Sequence, residues 1–160
     1  MRAARYAAVA SIAFLAVAGC SPKVDWRAYA FPQKGFTAQF PIKPKVTDAE
    51  GETWHADAIV LQDIYTVSVG CDPSTDETAE DILAGGVAYW SDKYAIASQT
   101  DIKAGRTAGK ELLVTEKDAP SARVRIFAHR QCLYMVSAVV TKGPNDPTVS
   151  RFLNSFQLTS

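Results

Sequence analysis

Histidine is scarce in this chain, with two residues in 160, His55 and His129, and methionine also occurs only twice. Neither Cys-x-x-Cys nor His-x-x-x-His spacing occurs, so no metal centre is expected. The chain has no Gly-x-Ser-x-Gly elbow, no phosphate loop and no Gly-x-Gly-x-x-Gly. The usual nucleophile mount and the usual nucleotide cradles are therefore missing, and no cofactor is expected. Charge of one sign is not in excess: 17 basic side chains face 17 acidic ones. No surplus exists to hold nucleic acid by counterion release, and no run of lysines would dock the protein on anionic lipid. The longest apolar run, from Ala7 to Ala18, falls short of the roughly 20 residues needed to cross a hydrocarbon core. Internal repeats and low-complexity stretches are lacking as well.

That short run does have a purpose to suggest. It follows Arg2 and Arg5 and ends in Leu15-Ala16-Val17-Ala18-Gly19-Cys20. A basic start, an apolar core and small residues before a cut site make a secretory signal peptide. Val17-Ala18-Gly19-Cys20 resembles the lipobox of bacterial lipoproteins. The resemblance implies cleavage before Cys20, a diacylglyceryl group on its thiol, and acylation of the new amine. Two acyl chains would supply roughly 20 kcal/mol of membrane attachment, ample for a soluble domain. The alternative is an ordinary secreted protein whose Cys20 merely lies near the cut. Ser21, rather than an aspartate, follows the cysteine. By resemblance to enterobacterial sorting, that favours the outer membrane over the inner, with the domain facing the periplasm.

The expected organisation is a signal peptide over residues 1–19, a lipidated cysteine and tether over 20–34, and one domain over 35–160. Loss of Arg2 and Arg5 leaves the mature chain slightly acidic. Cys71 and Cys132 remain, an even pair in an oxidising compartment. A bond between them would close a loop of roughly 60 residues, worth about 4 kcal/mol in the chain-entropy model. Two separate buried thiols are the alternative.

Phe36, Ala38 and Phe40 alternate in a first strand that Pro41 and Pro44 stop. Residues 53–61 and 64–71 read as two further strands, with a tight turn at Gln62-Asp63. Thr78 is a good N-cap, Glu80 and Asp81 suit the helix dipole, and Ile82, Leu83, Val87, Trp90 and Tyr94 recur at helical spacing. Gly85-Gly86 inside that helix serves either a close approach to a sheet or a kink. Residues 96–102 and 110–115 flank a turn at Lys103 to Arg106. Residues 124–130 and 133–141 form the strongest strand pair. Asp146 caps a last helix with Pro147 at its first position and Val149, Phe152, Leu153 and Phe156 as its stripe. Segregated antiparallel strands and helices predict an α+β fold, an antiparallel β-sheet covered by helices.

Several pieces in this order resemble a known group: Gly35-Phe36 with Phe40-Pro41 and Pro44, Arg106 with Gly109-Lys110-Glu111-Leu112, Arg125 with Leu133-Tyr134, and Arg151-Phe152-Leu153-Asn154-Ser155-Phe156. The chain resembles the Mog1/PsbP-like α/β/α sandwich proteins, over about residues 35–158. The resemblance implies a fold and protein binding, with no common chemistry.

Two clusters invite chemistry. His55 and Asp57 share a strand face, as an acid–base pair of an uncatalogued hydrolase or as a surface ion pair. Arg123, Arg125 and His129 share another with Phe127, as an anion patch or as a solvated sheet face. Trp26, Tyr29 and Trp54 either line a groove or pack the N-terminal segment on the sheet. The leading expectation is a non-enzymatic, lipid-anchored envelope protein with an envelope protein as partner. A carrier of a small apolar ligand or lipid under the helix at residues 82–94 is the rival.

Overall fold

The computed structural model describes residues 23–48, 53–117, 119 and 121–159. The expected signal peptide over residues 1–19 and Cys20 lie outside the described residues.

Among the described residues there are ten strands, two α-helices and one 3-10 turn (Pro32–Lys34): β1 (Arg27–Phe31), β2 (Phe36–Phe40), β3 (Lys45–Thr47), β4 (Trp54–Val60), β5 (Asp63–Cys71), α1 (Ala79–Ser91), β6 (Ala95–Ala104), β7 (Thr107–Thr115), β8 (Ala122–His129), β9 (Cys132–Val139), α2 (Pro147–Ser155) and β10 (Gln157–Leu158). All strand pairs are antiparallel. Seven strands form a sheet in the order β3-β4-β5-β9-β8-β7-β6, and β1-β2-β10 form a second, small sheet. The expected α+β class holds. The covering layer differs from a plain helix layer, because one face of the large sheet meets α2 together with the small sheet.

That face is sealed by aromatics. Phe36, Phe40, Trp54, Tyr65, Phe127, Tyr134, Phe152 and Phe156 are buried in one cluster with Val67, Val136 and Leu153. Phe127 and Phe156 stack at 5.4 Å, and Phe40 and Phe152 meet at 5.2 Å. Such pairs add to the area they remove from water. Trp26, Tyr29 and Phe31 pack on the same cluster, so the N-terminal aromatics are packing residues. Residues 27–31, read from sequence as part of the tether, are strand β1, paired along β2 from Arg27↔Phe40 to Phe31↔Phe36.

The opposite face carries α1 over β7, β8 and β9, where Leu83, Leu112, Val124 and Ile126 are buried. Thr78 caps α1 with a reciprocal box: its hydroxyl accepts from the Asp81 amide, and the Asp81 carboxylate accepts from the Thr78 amide. Gly86 explains the close seating of this helix. A Cβ there would stand 2.8 Å from Ile126 Cγ2 and 2.9 Å from Leu133 Cδ1, so Gly86 serves the approach to the sheet, while a Cβ at Gly85 would meet nothing within 4 Å.

The β4–β5 turn is Leu61-Gln62, one residue earlier than expected, with Val60 paired to Asp63. Leu61 takes φ 58°, which branched and bulky residues avoid. Arg130 and Gln131, both at positive φ, close the β8–β9 hairpin. Cys71 and Cys132 face each other across β5 and β9 and are joined by a disulfide.

Candidate functional site

α1 covers only part of its face. Beside it, toward the edge strand β6, an open groove of about 1120 Å³ runs along the β6–β7 hairpin to the β8–β9 turn. The middle of its helical wall is Leu83, Ala84, Val87 and Ala88, where α1 presents small and aliphatic residues, and Glu80 and Ser91 stand toward the two ends of the helix. Its floor includes Gln99, Asp101 and Lys103 from β6, and Ala108 and Lys110 from β7. Lys110 Nζ holds Asp101 Oδ1 at 2.6 Å, which cancels one charge of each sign.

The cationic groups gather at one end. Gly105 turns the β6–β7 hairpin at φ 60° and brings Lys103 and Arg106 beside Arg130 and His129. Among the described residues, Lys103, Arg106 and Arg130 enter no ion pair. His129 Nε2 is buried without a hydrogen-bond partner among the described residues. The groove is thus an apolar wall leading to a basic mouth. Its residues come from α1, β6, β7, β8 and two hairpin turns, between positions 79 and 130. Sequence periodicity flagged only the helix, because the hairpin half of the groove depends on strand order.

Arg123, Arg125 and His129 are not one patch. The Glu111 carboxylate accepts from Arg123 Nη2 and Arg125 Nε, each at 2.6 Å. Arg125 also donates to the Leu153 carbonyl and Asn154 Oδ1, and Arg123 to Ser150 Oγ. The two arginines therefore fasten α2 to the sheet and close its last turn. Burial alone would raise the Glu111 carboxyl, but the two arginine hydrogen bonds outweigh it and hold the group below the ordinary carboxylate range. His129 lies six residues along β8 from Arg123, with Phe127 buried between them, and belongs to the groove. This replaces an open anion patch with an internal ion-pair cluster.

His55 and Asp57 do share a face, but each is committed across the hairpin. His55 Nδ1 and Ser68 Oγ lie 2.9 Å apart, and Thr66 Oγ1 donates to Asp57 Oδ1 at 2.7 Å. Ser68 was not visible as a neighbour of His55 in the sequence, since only the β4–β5 register pairs them. No group of three or more potential metal ligands occurs among the described residues.

No protein-family model matches the chain, and no curated protein matches its sequence. The architecture does have solved counterparts, and it is a PsbP-like fold. It superposes on the solution structure of cyanobacterial PsbP (CyanoP) from Synechocystis sp. PCC 6803 with a TM-score of 0.61 at 13% identity. That match covers 88% of this chain and 95% of the other. A protein of unknown function from Pseudomonas aeruginosa, titled a putative regulator, gives a TM-score of 0.43 at 10% identity, over 78% and 85% of the two chains.

Proposed function

We propose that this chain is a non-enzymatic, lipid-anchored protein of the bacterial envelope whose folded part binds a protein partner in the groove beside α1. Cys20 carries the lipid, the domain faces the periplasm, and the outer membrane is favoured by Ser21. No helix among the described residues is long and apolar enough to cross a membrane. The observation that carries the binding role is the groove: an apolar wall, a basic mouth, and the long edge strand β6, most of which is exposed. An unpaired strand edge and an apolar helix side are the two surfaces from which peptide recognition is commonly built. The basic mouth selects an acidic segment.

A photo-activatable residue at Ala84, which lines the groove, tests this in intact cells. A discrete crosslinked protein is expected from Ala84, and none from Tyr89, which is exposed on α1 but does not line the groove. Equal capture from both positions, or from neither, contradicts the reading.

A carrier role has one observation of its own. The groove pairs apolar length with a cationic end, as a long-chain carboxylate or phosphate would require. Native mass spectrometry of protein taken from its own membranes distinguishes it, through a co-purified small ligand.

A further inference from the structure

The groove's basic mouth lies at the Cys71–Cys132 end of the large sheet, and the opposite end, at the β4–β5 turn, is built differently. Three large apolar side chains project there into solvent: Ile59 is 57% exposed, Leu61 76% and Ile64 39%. Ile59 and Ile64 are cross-strand partners, so they form one pair with Leu61 at the tip beyond them. They stand on the part of the sheet face that α1 leaves bare. Leu61 keeps a bulky apolar side chain at a φ of 58°, where glycine or asparagine would relieve the backbone.

The start of the described chain comes to the same end of the sheet, on its closed face. The Trp26 ring meets Tyr65 edge-on at 5.4 Å, and Tyr65 follows Ile64 and pairs with Ala58. Just before it, Val24 is 49% exposed, and the Asp25 amide donates to the Pro41 carbonyl at 2.8 Å. From Cys20 to Asp25 an extended chain reaches at most about 18 Å. A lipid on Cys20 therefore holds this corner, and not the groove, next to the bilayer.

Lysines scattered through the sequence also meet here. Lys23 begins the entering segment. Lys45 pairs with Asp57 in β3, and Lys43 precedes it on the side that leads toward Ile59. Thr141 binds the Asp63 carboxylate of the turn through both its amide and its hydroxyl, which brings Lys142 alongside. Lys23, Lys43, Lys45 and Lys142 are all exposed. The acidic neighbours Asp25, Asp57, Asp63 and Asp146 accept from Arg27, Thr66, Thr141 and Thr148, and of these Asp25 has a cation as its partner. An apolar tip ringed by lysines is the chemistry of an anionic lipid surface.

We infer that the β4–β5 hairpin tip is a second membrane contact, in which Ile59, Leu61 and Ile64 enter the interface of an anionic bilayer and the lysines meet its headgroups. The contact rests on the lipid anchor proposed above. It orients the domain with the basic mouth of the groove pointing away from the anchoring membrane.

The test uses the full lipidated protein reconstituted in vesicles of phosphatidylethanolamine and phosphatidylglycerol. With Cys20 acylated and Cys71 bonded to Cys132, Leu61→Cys and Arg106→Cys each give a single thiol for an environment-sensitive fluorophore. A tip buried about 5–10 Å into the headgroup boundary is reached by brominated acyl chains. Label at position 61 is expected to shift to the blue and to be quenched several-fold more than label at 106, and Lys43→Glu with Lys142→Glu is expected to diminish the difference. Protein that floats with the vesicles while both labels stay equally wet overturns the tip contact and leaves the anchor standing. Protein that does not float at all overturns the anchor, and the contact with it.

Discussion

The two faces of the seven-stranded sheet are built to different specifications. One is closed by α2, the small sheet and a continuous aromatic cluster, with Phe36, Phe40 and Phe152 fully buried. The other is covered by α1 over three strands, and it leaves a groove on one side of the helix and a bare, hydroxyl-bearing patch with Ile59 and Ile64 on the other. The difference teaches where stability and recognition reside. Fold stability is concentrated where water is excluded, and exchangeable surface is concentrated where one helix is too narrow for its sheet.

The largest expected effect lies on the closed face. Phe152→Ala removes a ring held between Phe40 and Tyr65 and should cost about 4 kcal/mol, read as a lowered urea midpoint. A loss much smaller than that would mean the closed face is not where the fold is held. Next comes Glu111→Gln, which leaves two half-buried arginines without their carboxylate and should cost about 2 kcal/mol. The same group sets an acid limb. Its folded pKa lies below its unfolded value near 4.3, so its contribution is complete above that pH and is lost as pH falls through the folded value. Asp72, Asp81 and Asp146 are lowered by hydrogen bonds from Ser74, Thr78 and Thr148 and act in the same direction. Thermal midpoints measured across pH should therefore fall below about pH 4.3 in the native chain, and less steeply in Glu111→Gln.

Substitutions on the open face should behave differently. Leu61→Gly should stabilise the fold by about 1 kcal/mol, because it relieves a left-handed backbone and removes no buried contact. Destabilisation there would show that the tip is packed and not presented. Smallest of all, Ala88→Glu should leave the midpoint within about 0.5 kcal/mol, since Ala88 is exposed on α1, while it abolishes partner capture from position 84 in the groove.

Much of the closed face is readable in the chain itself. The alternation of Phe36, Ala38 and Phe40, the caps at Thr78 and Asp146, and the stripe of Val149, Phe152 and Leu153 are local signals, and each element they mark is present. Strand β1 is harder to read, because Arg27–Phe31 is an edge strand whose partner β2 supplies the order. β3 and β10, at three and two residues, are too short to show a period. The open face is less legible for a different reason. Ser68 meets His55 only through β4–β5, and Lys43 and Lys142 come to one corner only through the sheet order; on the closed face, too, Glu111 meets Arg125 only through the β7–β8 register. Residues that seem to be a site along one strand, such as Arg123, Arg125 and His129, are divided once their neighbours arrive.

The functions proposed for both faces rest on the anchor proposed at Cys20. Intact mass measurement of the mature protein extracted from its own membranes tests that anchor most directly. The account predicts a chain that begins at Cys20 and carries a diacylglyceryl group on its thiol. An unmodified cysteine, or a chain that still retains residues 1–19, would contradict it.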